Sequence, residues 1–574
     1  MQQCNKIEAQ TMSGAKIFMK CLEEEGVEYI FGIPGGVILP IYNEFYKNET
    51  TTHILTKHEQ GAVHAAEGYA KSSGKVGVVI ATSGPGATNT VTGLADAYYD
   101  SVPIVVFTGN VSTSALGNDA FQEADIVSIT RACTKYNYIV RDIKDLASII
   151  KEAFYIAQTG RPGPVLVDLP KDILVSTCEY NYSEDVNLLG YTPEIETNDK
   201  DVAKIFKELT EAEKPLILCG GGVVISDSFD ELTILSEKNN IPIVSTLMGL
   251  GGFPASHKHF AGFSGMHGNS WSNLAIYNCD LLLILGSRLS DRQTGSVSGY
   301  CPNAKIIHVD IDPISLNKNL QSDISVQGDI NQTLNILLDL SDKNPLSEEK
   351  KSARSKWIDE INNNKNEGLK YRIHTTNESL KPSEVIEKVY ELSDPEAFII
   401  TEVGQHQMWS AQYYNKNNPR RFITSGGLGT MGFGLPAALG VQLAHPDKQV
   451  IVFAGDGSIQ MNIQELATAN TYNLPIKIFI INNGYLGMVR QWQHLMYDRY
   501  SESKIFSPDY IALSKAYGIG GFTVKGRGDL HILEEAMNYP GPALINCTVE
   551  EEDDVYPWVP AGKGNKEMLM EAKK

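Results

Sequence analysis

With 574 residues, the chain is long enough for about three or four domains that each bury a core of their own. Its net charge of −20, without any basic block, argues against nucleic acids and anionic membrane surfaces as partners. The eight cysteines form no CxxC pair, which favours reduced thiols and argues against a zinc site. Because neither a signal peptide nor an apolar run of transmembrane length is visible, we expect a cytoplasmic protein.

Twelve short apolar runs, separated by amphipathic stretches, divide the chain into three blocks. Continuous Val/Ile/Leu runs are typical of parallel strands buried on both faces, and the stretches between them suit crossover helices. We therefore predict an α/β fold with three doubly wound parallel-sheet domains at residues 12–180, 190–345 and 375–560. The segment 178–200 reads as a linker, and 341–365 as a helical or linking segment. The predicted strands are 29–32, 76–82, 104–108, 165–169, 216–219, 243–246, 281–285, 306–311, 398–401, 450–454, 476–481 and 544–549.

The first block carries two features at predicted strand ends. Glu59 follows a short strand at 53–56 and begins a helix in which Ala62, Ala65, Ala66 and Gly68 permit close packing. Taken alone, this acid fits an ordinary first-turn residue, which the helix dipole favours. Residues 83–89 form a Gly-rich turn between strand and helix, which a structural turn and a direct ligand contact explain equally well.

The third block contains the most informative stretch of the chain. A strand runs into the segment GDGS at 455–458, and the next strand ends at two asparagines, 482 and 483. Because the carboxyl ends of neighbouring parallel strands share one edge of a sheet, we expect Asp456 and Asn483 side by side. Their oxygens suit Mg²⁺, and the glycines and the helix start suit a diphosphate. Taken singly, each motif is also explained as a tight turn.

At this point the chain resembles the thiamin-diphosphate enzymes, whose diphosphate-anchoring motif is GDG followed by NN at about this spacing. Over residues 12–565, the resemblance narrows to acetohydroxyacid synthase (acetolactate synthase) catalytic subunits. GMVRQWQ and the region 288–295 are the parts that point to this family. The other segments are FGIPGGVILPIY, ATSGPGATN, AFQEADIVSITRACTKYNYIV, TLMGLGGFP, GMHG, VGQHQMW and GGLGTMGFGLPAALG.

The resemblance implies thiamin diphosphate and Mg²⁺ as cofactors. Glu59 matches the glutamate that contacts the aminopyrimidine ring and favours its imino form, which takes the proton from thiazolium C2. Asp456 and Asn483 match the Mg²⁺ ligands, with the Tyr485 carbonyl as the third. Met431 matches a residue behind the thiamin rings, although core filling is the ordinary role of methionine. The other matching positions are Val403, Gly404, Gln405, His406, Gly429, Gly455, Gly457, Ser458 and Gly487.

The second block resembles the FAD domain of this family. Glycines at strand ends let the backbone approach a dinucleotide, although GGG is not the GxGxxG fingerprint. The expected reaction transfers no net electrons, so the resemblance implies a flavin without a redox role. The matching positions are Gly220, Gly221, Gly222, Thr246, Leu247, Met248, Gly265, Met266, His267, Gly286, Arg288, Asp310, Ile311, Asp329 and Ile330.

The expected substrates are two 2-keto acids, of which one is decarboxylated and the other accepts the resulting two-carbon unit. Arg292 matches the arginine that pairs with the acceptor's carboxylate, and Trp492 the tryptophan that packs on its alkyl group. One methylene is worth only about 1–3 kcal/mol, so the preference for 2-ketobutyrate over pyruvate would be graded. A surface ion pair and a core position are the ordinary explanations of these two residues. Phe121, Gln122, Lys135 and Met488 match positions that line the site.

Three departures from the family pattern leave the acceptor and the flavin contacts open. Asn110 stands where glutamine is usual, residues 288–292 read RLSDR instead of RFDDR, and 112–115 lack the usual arginines. A pyruvate oxidase, which would pass electrons to flavin, and a non-catalytic paralogue that serves in assembly are the rival hypotheses. A glyoxylate carboligase is disfavoured because that family lacks the glutamate found here as Glu59.

We therefore predict an enzyme that condenses two pyruvates to 2-acetolactate and CO₂, or pyruvate with 2-ketobutyrate to 2-aceto-2-hydroxybutyrate. These products are precursors of branched-chain amino acids. The resemblance also implies that Glu59 acts on cofactor held by the third domain of another subunit. A homodimer is then the minimal active unit, with a tetramer as its doubled form, and a separate small regulatory subunit is a further expected partner.

Overall fold

The computed structural model describes residues 10–183, 185–370 and 379–571. Within this part, three six-stranded parallel sheets are flanked by helices, which confirms the predicted α/β fold. Two compact units are formed, each from several segments of the chain. The first is drawn from Met1–Pro193, Ser425–Asp447 and Gln460–Ile476, and the second from Glu194–Thr424, Lys448–Ile459 and Lys477–Lys574. The three domain boundaries given above stay predictions.

The first sheet has the strand order β3-β2-β4-β5-β7-β6, and β1 pairs antiparallel with β8 outside it. Its strands, together with β1 and β8, are β1 Thr11–Ser13, β2 Tyr29–Gly32, β3 Thr52–Leu55, β4 Gly77–Ala81, β5 Ile104–Asn110, β6 Tyr136–Ile139, β7 Val165–Pro170 and β8 Thr177–Glu179. The helices are α1 Gly14–Glu24, α2 Leu39–Phe45, α3 Glu59–Ser73, α4 Pro85–Thr88, α5 Val91–Asp100, α6 Ile126–Thr130, α7 Leu146–Gln158 and α8 Lys171–Val175.

The second sheet has the order β11-β10-β9-β12-β13-β14. Its strands are β9 Pro215–Cys219, β10 Ile243–Ser245, β11 Phe260–Phe263, β12 Leu281–Leu285, β13 Lys305–Asp310 and β14 Ile324–Gln327. The helices are α9 Asp199–Glu211, α10 Gly221–Ile225, α11 Phe229–Asn239, α12 Ser270–Asn278, α13 Asp291–Thr294, α14 Ile330–Lys343 and α15 Glu348–Leu369.

The third sheet has the order β16-β15-β17-β18-β20-β19. Its strands are β15 Phe398–Thr401, β16 Phe422–Ile423, β17 Val450–Gly455, β18 Lys477–Asn482, β19 Gly520–Val524 and β20 Ala543–Thr548. The helices are α16 Pro382–Leu392, α17 Gln405–Tyr413, α18 Gly434–Ala444, α19 Leu466–Thr471, α20 Gly487–Tyr497, α21 Tyr510–Tyr517 and α22 Ile532–Met537.

The strand order reverses inside each sheet, and the place of this reversal differs between the sheets; in the first and third sheets the last two strands are also exchanged at the edge. In the first and third sheets it lies between the first and third strands in chain order, β2 and β4 or β15 and β17. In the second sheet it lies between the first and fourth strands, β9 and β12, as in dinucleotide-binding folds. At such a point the loops at the carboxyl ends diverge to opposite faces and leave a crevice where ligands bind.

All twelve predicted strands are present, and they are the four central strands of each sheet. The strands at the sheet edges were not predicted, apart from β3, which overlaps the short strand at 53–56. Edge strands are paired on one side only; β11 is buried, but the others are partly exposed, as the half-exposed residues of β6 and β14 illustrate. Their sequences therefore lack the continuous apolar run that identifies a buried strand.

The charged stretch 341–365 is mostly helical and belongs to the second sheet's block. Its helix α15 buries Trp357, whose indole N–H donates to the Pro215 carbonyl at 3.1 Å. Arg354, also buried, donates to the backbone carbonyl of Asn239 at 2.7 Å. A segment that reads as a linker by its charge is thus a docked helix, because only one of its faces carries apolar residues.

In the first unit, α3 packs closely on α18. A Cβ at Gly68 would lie 2.0 Å from the Ala437 carbonyl oxygen, and a Cβ at Gly440 would lie 1.8 Å from that of Ala65. Small residues on both helices are therefore required for this contact, as the composition of α3 predicted. The packing fixes the helix whose first residue is Glu59.

Candidate cofactor and metal site

The third sheet brings Asp456 and Asn483 together at its carboxyl edge, as their positions after neighbouring strands predicted. Asp456 follows β17 and Asn483 follows β18, and both side chains are buried. The Asp456 Oδ2 atom accepts hydrogen bonds from the backbone N–H of Gly484 at 3.1 Å and from the Ser507 hydroxyl at 2.7 Å. The carboxylate is therefore held against the backbone of the residue that follows Asn483.

The donor set at this edge fits a divalent cation. Burial raises the pKa of the Asp456 carboxyl above its usual value, although hydrogen bonds from Ser507 and the local backbone oppose that shift. A carboxylate removed from water is stabilised by a nearby cation. The Asn483 Oδ1 atom accepts from the N–H of Tyr485 at 3.2 Å, so the third predicted ligand residue is also adjacent. A carboxylate, an amide oxygen and a backbone carbonyl are ligand types that Mg²⁺ uses.

The loop after β15 approaches the GDGS turn at the point where the strand order reverses. Gly404 has φ +151° and precedes the first residue of α17, and a Cβ on either Gly404 or Gly455 would lie 2.9 Å from the His406 ring. His406 is buried, and its Nε2 atom has no hydrogen-bond partner among the described residues. Burial lowers the pKa of His406 to about 3, so the ring is neutral. A buried ring nitrogen and a helix N-terminus together suit an anionic ligand.

The GDGS segment is also a tight turn in its own right. The N–H of Gly455 donates to the Ser458 hydroxyl at 3.2 Å, and that hydroxyl donates back to the Gly455 carbonyl at 3.3 Å. Gly457, between them, is half-buried. The structural and the ligand-binding interpretations of this motif are therefore compatible, because the turn places Asp456 at the edge of the sheet.

Gln405 lies beside Asn483, and Gly487 makes room for their contact. The Asn483 Nδ2 atom donates to Gln405 Oε1 at 3.2 Å. A Cβ at Gly487 would lie 2.0 Å from that oxygen and 2.8 Å from Asn483 Nδ2. Glycine at the first position of α20 is therefore required by the amide pair.

Arg292 and Trp492 come together although 200 positions separate them in the sequence. The Arg292 guanidinium carbon lies 5.6 Å from the centre of the Trp492 ring, which itself contacts the Trp558 ring at 5.5 Å. The exposed Arg292 also pairs with Asp291 at 2.7 Å, the surface ion pair that was the alternative for this residue. Met488, on the same helix as Trp492, is half-buried against the hydrophobic core of the third sheet. A cation and an apolar ring side by side match the two needs of a 2-keto acid.

Glu59 begins α3 and is buried in the first unit. Its Oε2 atom accepts from the Asn89 side-chain amide at 2.9 Å, and a Cβ at Gly86 would lie 3.2 Å from its Oε1 atom. The Gly-rich turn at 83–89 thus surrounds this carboxylate. Ordinary first-turn acids are solvated, so the burial of Glu59 favours a role beyond helix capping.

The two predicted residues at 121 and 122 lie by the same turn. Phe121 is 88% exposed, which is unusual for a phenylalanine. The backbone of Gln122, which has φ +60°, lies close to Gly84, where a Cβ would come within 3.0 Å of its Cα. Gln122 thus lies against the turn that surrounds Glu59, and Phe121 precedes it in the chain with an exposed ring.

The loop 425–431, which carries Gly429 and Met431, is held by hydrogen bonds to acids of α5. The Ser425 hydroxyl donates to Asp96 at 2.6 Å and accepts from the N–H of Gly429 at 3.1 Å. Asp100 accepts from the N–H of residue 427 at 2.7 Å. Gly429 itself is exposed, and Met431 is half-buried. The loop is therefore held in one conformation by acids of the first block.

A buried polar cluster lies beneath this loop on α3 and α5. His64 Nδ1 is 2.8 Å from Glu67 Oε1 and 3.8 Å from Asp96 Oδ2, and Lys71 pairs with Asp100 at 2.7 Å. Burial raises the pKa of Glu67 and of Asp96, and lowers the pKa of His64 to about 4. The cluster connects the helix of Glu59 to the loop of Met431.

Lys135 and Asn110 form contacts that stabilise the first sheet. The Lys135 ammonium donates to the carbonyls of Ile156 and Thr159 and to the Tyr191 hydroxyl. These bonds use its three donors, and its predicted place in the lining of the site stays a prediction. Asn110 donates to the buried Asp168 at 2.6 Å, so the shorter amide of this departure has a satisfied partner.

The predicted flavin residues lie at the carboxyl edge of the second sheet. The loops after β9 and β12 meet where the strand order reverses, and a Cβ at Gly222 would lie 2.6 Å from the Gly286 Cα. A Cβ at Gly220 would meet the Gly286 carbonyl oxygen at 2.2 Å. These glycines are thus required by contact between two backbones, whether or not a dinucleotide binds. Their neighbours at this edge are Gly221, Thr246, Leu247, Met248, Ile311 and Ile330.

Two acids at this edge have internal roles, whereas a histidine there has an unpartnered nitrogen. Asp310 Oδ1 accepts from the N–H of Asp312 at 2.9 Å, and Asp329 caps α14 through the N–H of Gln332 at 2.9 Å. His267, in the loop with Gly265 and Met266, is buried, and its Nδ1 atom has no partner among the described residues. Burial lowers its pKa to about 3. The position suits a dinucleotide, and FAD stays a prediction.

The altered segment 288–292 is accommodated without a loss of packing. Leu289, where the family pattern has an aromatic residue, is buried in a hydrophobic core of the second sheet and has φ +54°. The carbonyl of Arg288 accepts from the Asn319 side chain at 3.1 Å. The departure therefore keeps an apolar anchor at this loop.

Several residues that shape the site were missed in the sequence. Asn89 and Ser507 contact Glu59 and Asp456, but neither stands out, since short polar residues are common in turns. Gln491 donates to the Val555 carbonyl at 3.0 Å and accepts from Gln405. Its only signal was membership of the GMVRQWQ segment.

Comparison with known proteins gives the same picture over the whole chain. Thiamine pyrophosphate enzyme models match in three places: the N-terminal TPP binding domain at residues 12–129, the central domain at 202–337 and the C-terminal TPP binding domain at 402–547. The chain is 43% identical to the acetolactate synthase large subunit of Haemophilus influenzae, covering 97% of this chain and 98% of the relative. It is 46% identical to the acetolactate synthase large subunit of Lactococcus lactis, over 98% of this chain and 97% of the relative. It is 42% identical to the acetolactate synthase isozyme 3 large subunit of Escherichia coli, over 97% of this chain and 98% of the relative. In the described part, no helix combines the length and apolarity needed to cross a bilayer.

Proposed function

Because the chain belongs to the family of acetolactate synthase large subunits, we propose that the carboxyl edge of its third sheet holds the diphosphate and the Mg²⁺ of thiamin diphosphate. The enzyme is a thiamin-diphosphate-dependent acetolactate synthase, which condenses two pyruvates to 2-acetolactate with loss of CO₂. When bound, thiamin diphosphate takes up the electron pair that decarboxylation of the donor releases. The chain's own residues bind, orient and move protons around it.

The observation that carries the proposal is the meeting of Asp456 and Asn483 beside the His406 loop. Asp456 is buried and is bonded to the backbone of the residue that follows Asn483. These residues would bind Mg²⁺ with the Tyr485 carbonyl. The His406 ring and the N-terminus of α17, at the same crevice, would bind the diphosphate.

Glu59 would hold a proton at the ring nitrogen of the aminopyrimidine, which favours the tautomer that deprotonates C2. Its burial and its contact with Asn89 support this role, because they orient one carboxyl oxygen and leave the other toward the Gly86 turn. We propose that it serves cofactor held by the third domain of a second copy, so that the active unit is a homodimer or its doubled tetramer. Met431 and Gly429 would lie behind the rings.

Arg292 and Trp492 would recognise the acceptor. The guanidinium would bind the carboxylate of the second 2-keto acid, and the indole face would contact its alkyl group and exclude water. Pyruvate and 2-ketobutyrate would both be accepted, with a graded preference for the longer one. FAD at the second sheet would be bound without a redox role. Since the relatives are called large subunits, a separate small subunit is a proposed partner.

The direct test is the purified protein with pyruvate, with thiamin diphosphate, Mg²⁺ and FAD omitted in turn. We expect 2-acetolactate and CO₂ to form only when thiamin diphosphate and Mg²⁺ are present. In the absence of oxygen, pyruvate should leave the visible absorbance of oxidised FAD unchanged. Anaerobic reduction of FAD by pyruvate would support a pyruvate oxidase instead. No release of CO₂ with all cofactors present would support a non-catalytic paralogue.

The shared site has its own test, a mixture of Glu59→Gln and Asp456→Asn subunits. In a mixed dimer, one site would combine both substitutions and the other would have neither. After random exchange, about one quarter of the normal sites should be active, because half of the dimers are mixed. Activity of the mixture no higher than that of the separate variants would place both residues on the same subunit's cofactor.

A further inference from the structure

Three side-chain amides in a row link Asn483 to the backbone near the C-terminus. Asn483 Nδ2 donates to Gln405 Oε1 at 3.2 Å, and Gln405 Nε2 donates to Gln491 Oε1 at 3.0 Å. Gln491 then forms two bonds with Val555, donating to its carbonyl at 3.0 Å and accepting from its N–H at 2.9 Å. The chain of amides therefore ends on a backbone group whose donor and acceptor cannot exchange.

The orientation of each amide follows from its neighbour. Gln491, Gln405 and Asn483 are 1%, 3% and 8% exposed, so water cannot replace a lost partner. Reversing Gln491 would place its NH₂ against the Val555 N–H and its oxygen against the carbonyl, which loses both bonds. With Gln491 fixed, the nitrogen of Gln405 faces it and the oxygen faces Asn483. Asn483 must then direct its nitrogen to Gln405 and keep Oδ1 for the cation edge.

Residues 550–559, here named the C-terminal strap, are fixed to the same helix by further contacts. Arg490 pairs with Asp554 at 3.0 Å, and Trp558 packs edge-on against Trp492. The Val559 N–H donates to the Met266 carbonyl at 2.8 Å. The strap thus connects α20, the amide chain and the loop with His267.

We propose that Gln491 is a positioning residue: through Gln405 it holds the Asn483 amide with its oxygen toward the Mg²⁺ site, and so couples the C-terminal strap to cation affinity. This inference rests on the proposed function, because it requires the cation to bind at Asp456 and Asn483. The described bonds of Gln491 are to Gln405 and Val555. Its effect arises from the orientation that it transmits.

Gln491→Met keeps the volume of the side chain and removes its hydrogen bonds. Gln405 then keeps the bond from Asn483 and the bond of its Nε2 atom to the Asp553 carbonyl at 3.2 Å, but it loses the Gln491 oxygen at 3.0 Å, so its amide is held less firmly. We expect the dissociation constant of Mn²⁺, measured by the electron paramagnetic resonance of free Mn²⁺ at saturating thiamin diphosphate, to rise about 10-fold or more, as is typical for residues behind a metal ligand. The matched control is Gln493→Met, since Gln493 lies on the same helix and bonds the backbone of Ser501 but not Gln405.

A double substitution separates transmission from general loosening. If Gln491 acts through Gln405, adding Gln491→Met to Gln405→Met weakens Mn²⁺ binding no further, because the link is already broken. Full additivity of the two effects would overturn the proposal. Far-ultraviolet circular dichroism and thermal unfolding show which variants are folded before binding is compared.

Reciprocity gives a second readout that does not depend on activity. Cation binding should stabilise the strap, so hydrogen exchange of the Val555 amide should slow when Mg²⁺ and thiamin diphosphate are added to the parent protein, and not in Gln491→Met. A parent protein that binds no Mn²⁺ would contradict the proposed function itself. If the parent protein binds Mn²⁺ and folded Gln491→Met has a Mn²⁺ dissociation constant within about twofold of the parent value, this inference alone is overturned. Such a change lies below the roughly 10-fold effect that is typical of residues behind a metal ligand.

Discussion

The carboxyl edges of the second and third sheets are built alike, yet they differ in how their acids are placed. Both have glycine-rich loops at the point where the strand order reverses. In the second sheet, Gly222 and Gly286 contact each other, Asp310 bonds a backbone N–H, and His267 has a buried nitrogen without a partner among the described residues. In the third, Asp456 is a buried carboxylate, and His406 has a buried nitrogen without a partner among the described residues.

The comparison shows that a glycine pattern alone says little about ligands. Close backbone contact is enough to explain Gly220, Gly222 and Gly286 of the second sheet. Buried polar groups are costly when they lack compensation, so they indicate a missing partner more strongly. The difference can be tested by changing matched residues on the two edges.

The largest expected effect is that of Asp456→Asn. The substitution removes the charged ligand, so activity should fall below detection and Mn²⁺ binding at saturating thiamin diphosphate should be lost. On the other edge, Asp310→Asn should leave the affinity for thiamin diphosphate within about twofold of the parent, because distant sites act independently. Isothermal titration calorimetry of both variants measures their affinities for Mn²⁺ and for thiamin diphosphate. Equal losses in the two would erase the contrast between the edges.

Next in size is Glu59→Gln, which keeps the shape of a buried side chain but removes its acid. We expect exchange of the cofactor's C2 proton for deuterium, followed by NMR, to slow by about 100- to 10,000-fold while the cofactor still binds. The control is Glu465→Gln, a buried acid that accepts from the N–H of Lys57 at 2.9 Å. Unchanged exchange in Glu59→Gln would remove this residue from its proposed role.

Gly487→Ala and Gly222→Ala add the same methyl group at the two edges. At Gly487 the Cβ strikes the Gln405–Asn483 pair, so Mn²⁺ affinity should fall by tens of times. At Gly222 it strikes the Gly286 backbone, so stability should fall by about 1–3 kcal/mol with Mn²⁺ affinity retained. Chemical denaturation and Mn²⁺ titration separate the two outcomes. The reverse pattern would contradict the assignment.

The smallest expected change is in acceptor choice. Trp492→Leu reduces the apolar wall, so the ratio of 2-aceto-2-hydroxybutyrate to 2-acetolactate formed in competition should fall by roughly 10-fold, since a methylene contributes about 1–3 kcal/mol. Tyr497→Leu, on the exposed end of the same helix, should leave the ratio unchanged. An unaltered ratio in Trp492→Leu would refute the acceptor role of this residue.

The sequence predicted the sheets well because central strands are buried on both faces and read as unbroken apolar runs. It also predicted that Asp456 and Asn483 meet, since parallel strands end at one edge. Contacts between distant loops have no such pattern. The contact of Ser507 with Asp456 and the contacts of the strap could not be predicted for this reason.

The central claim is that Asp456 and Asn483 hold the cation of the cofactor. Crystals grown with thiamin diphosphate and Mn²⁺ test it directly, because anomalous scattering locates manganese without any assumption about ligands. The account predicts one strong peak within bonding distance of the Asp456 carboxylate, Asn483 Oδ1 and the Tyr485 carbonyl. A peak at another site, with the cofactor bound and this edge empty, would contradict it.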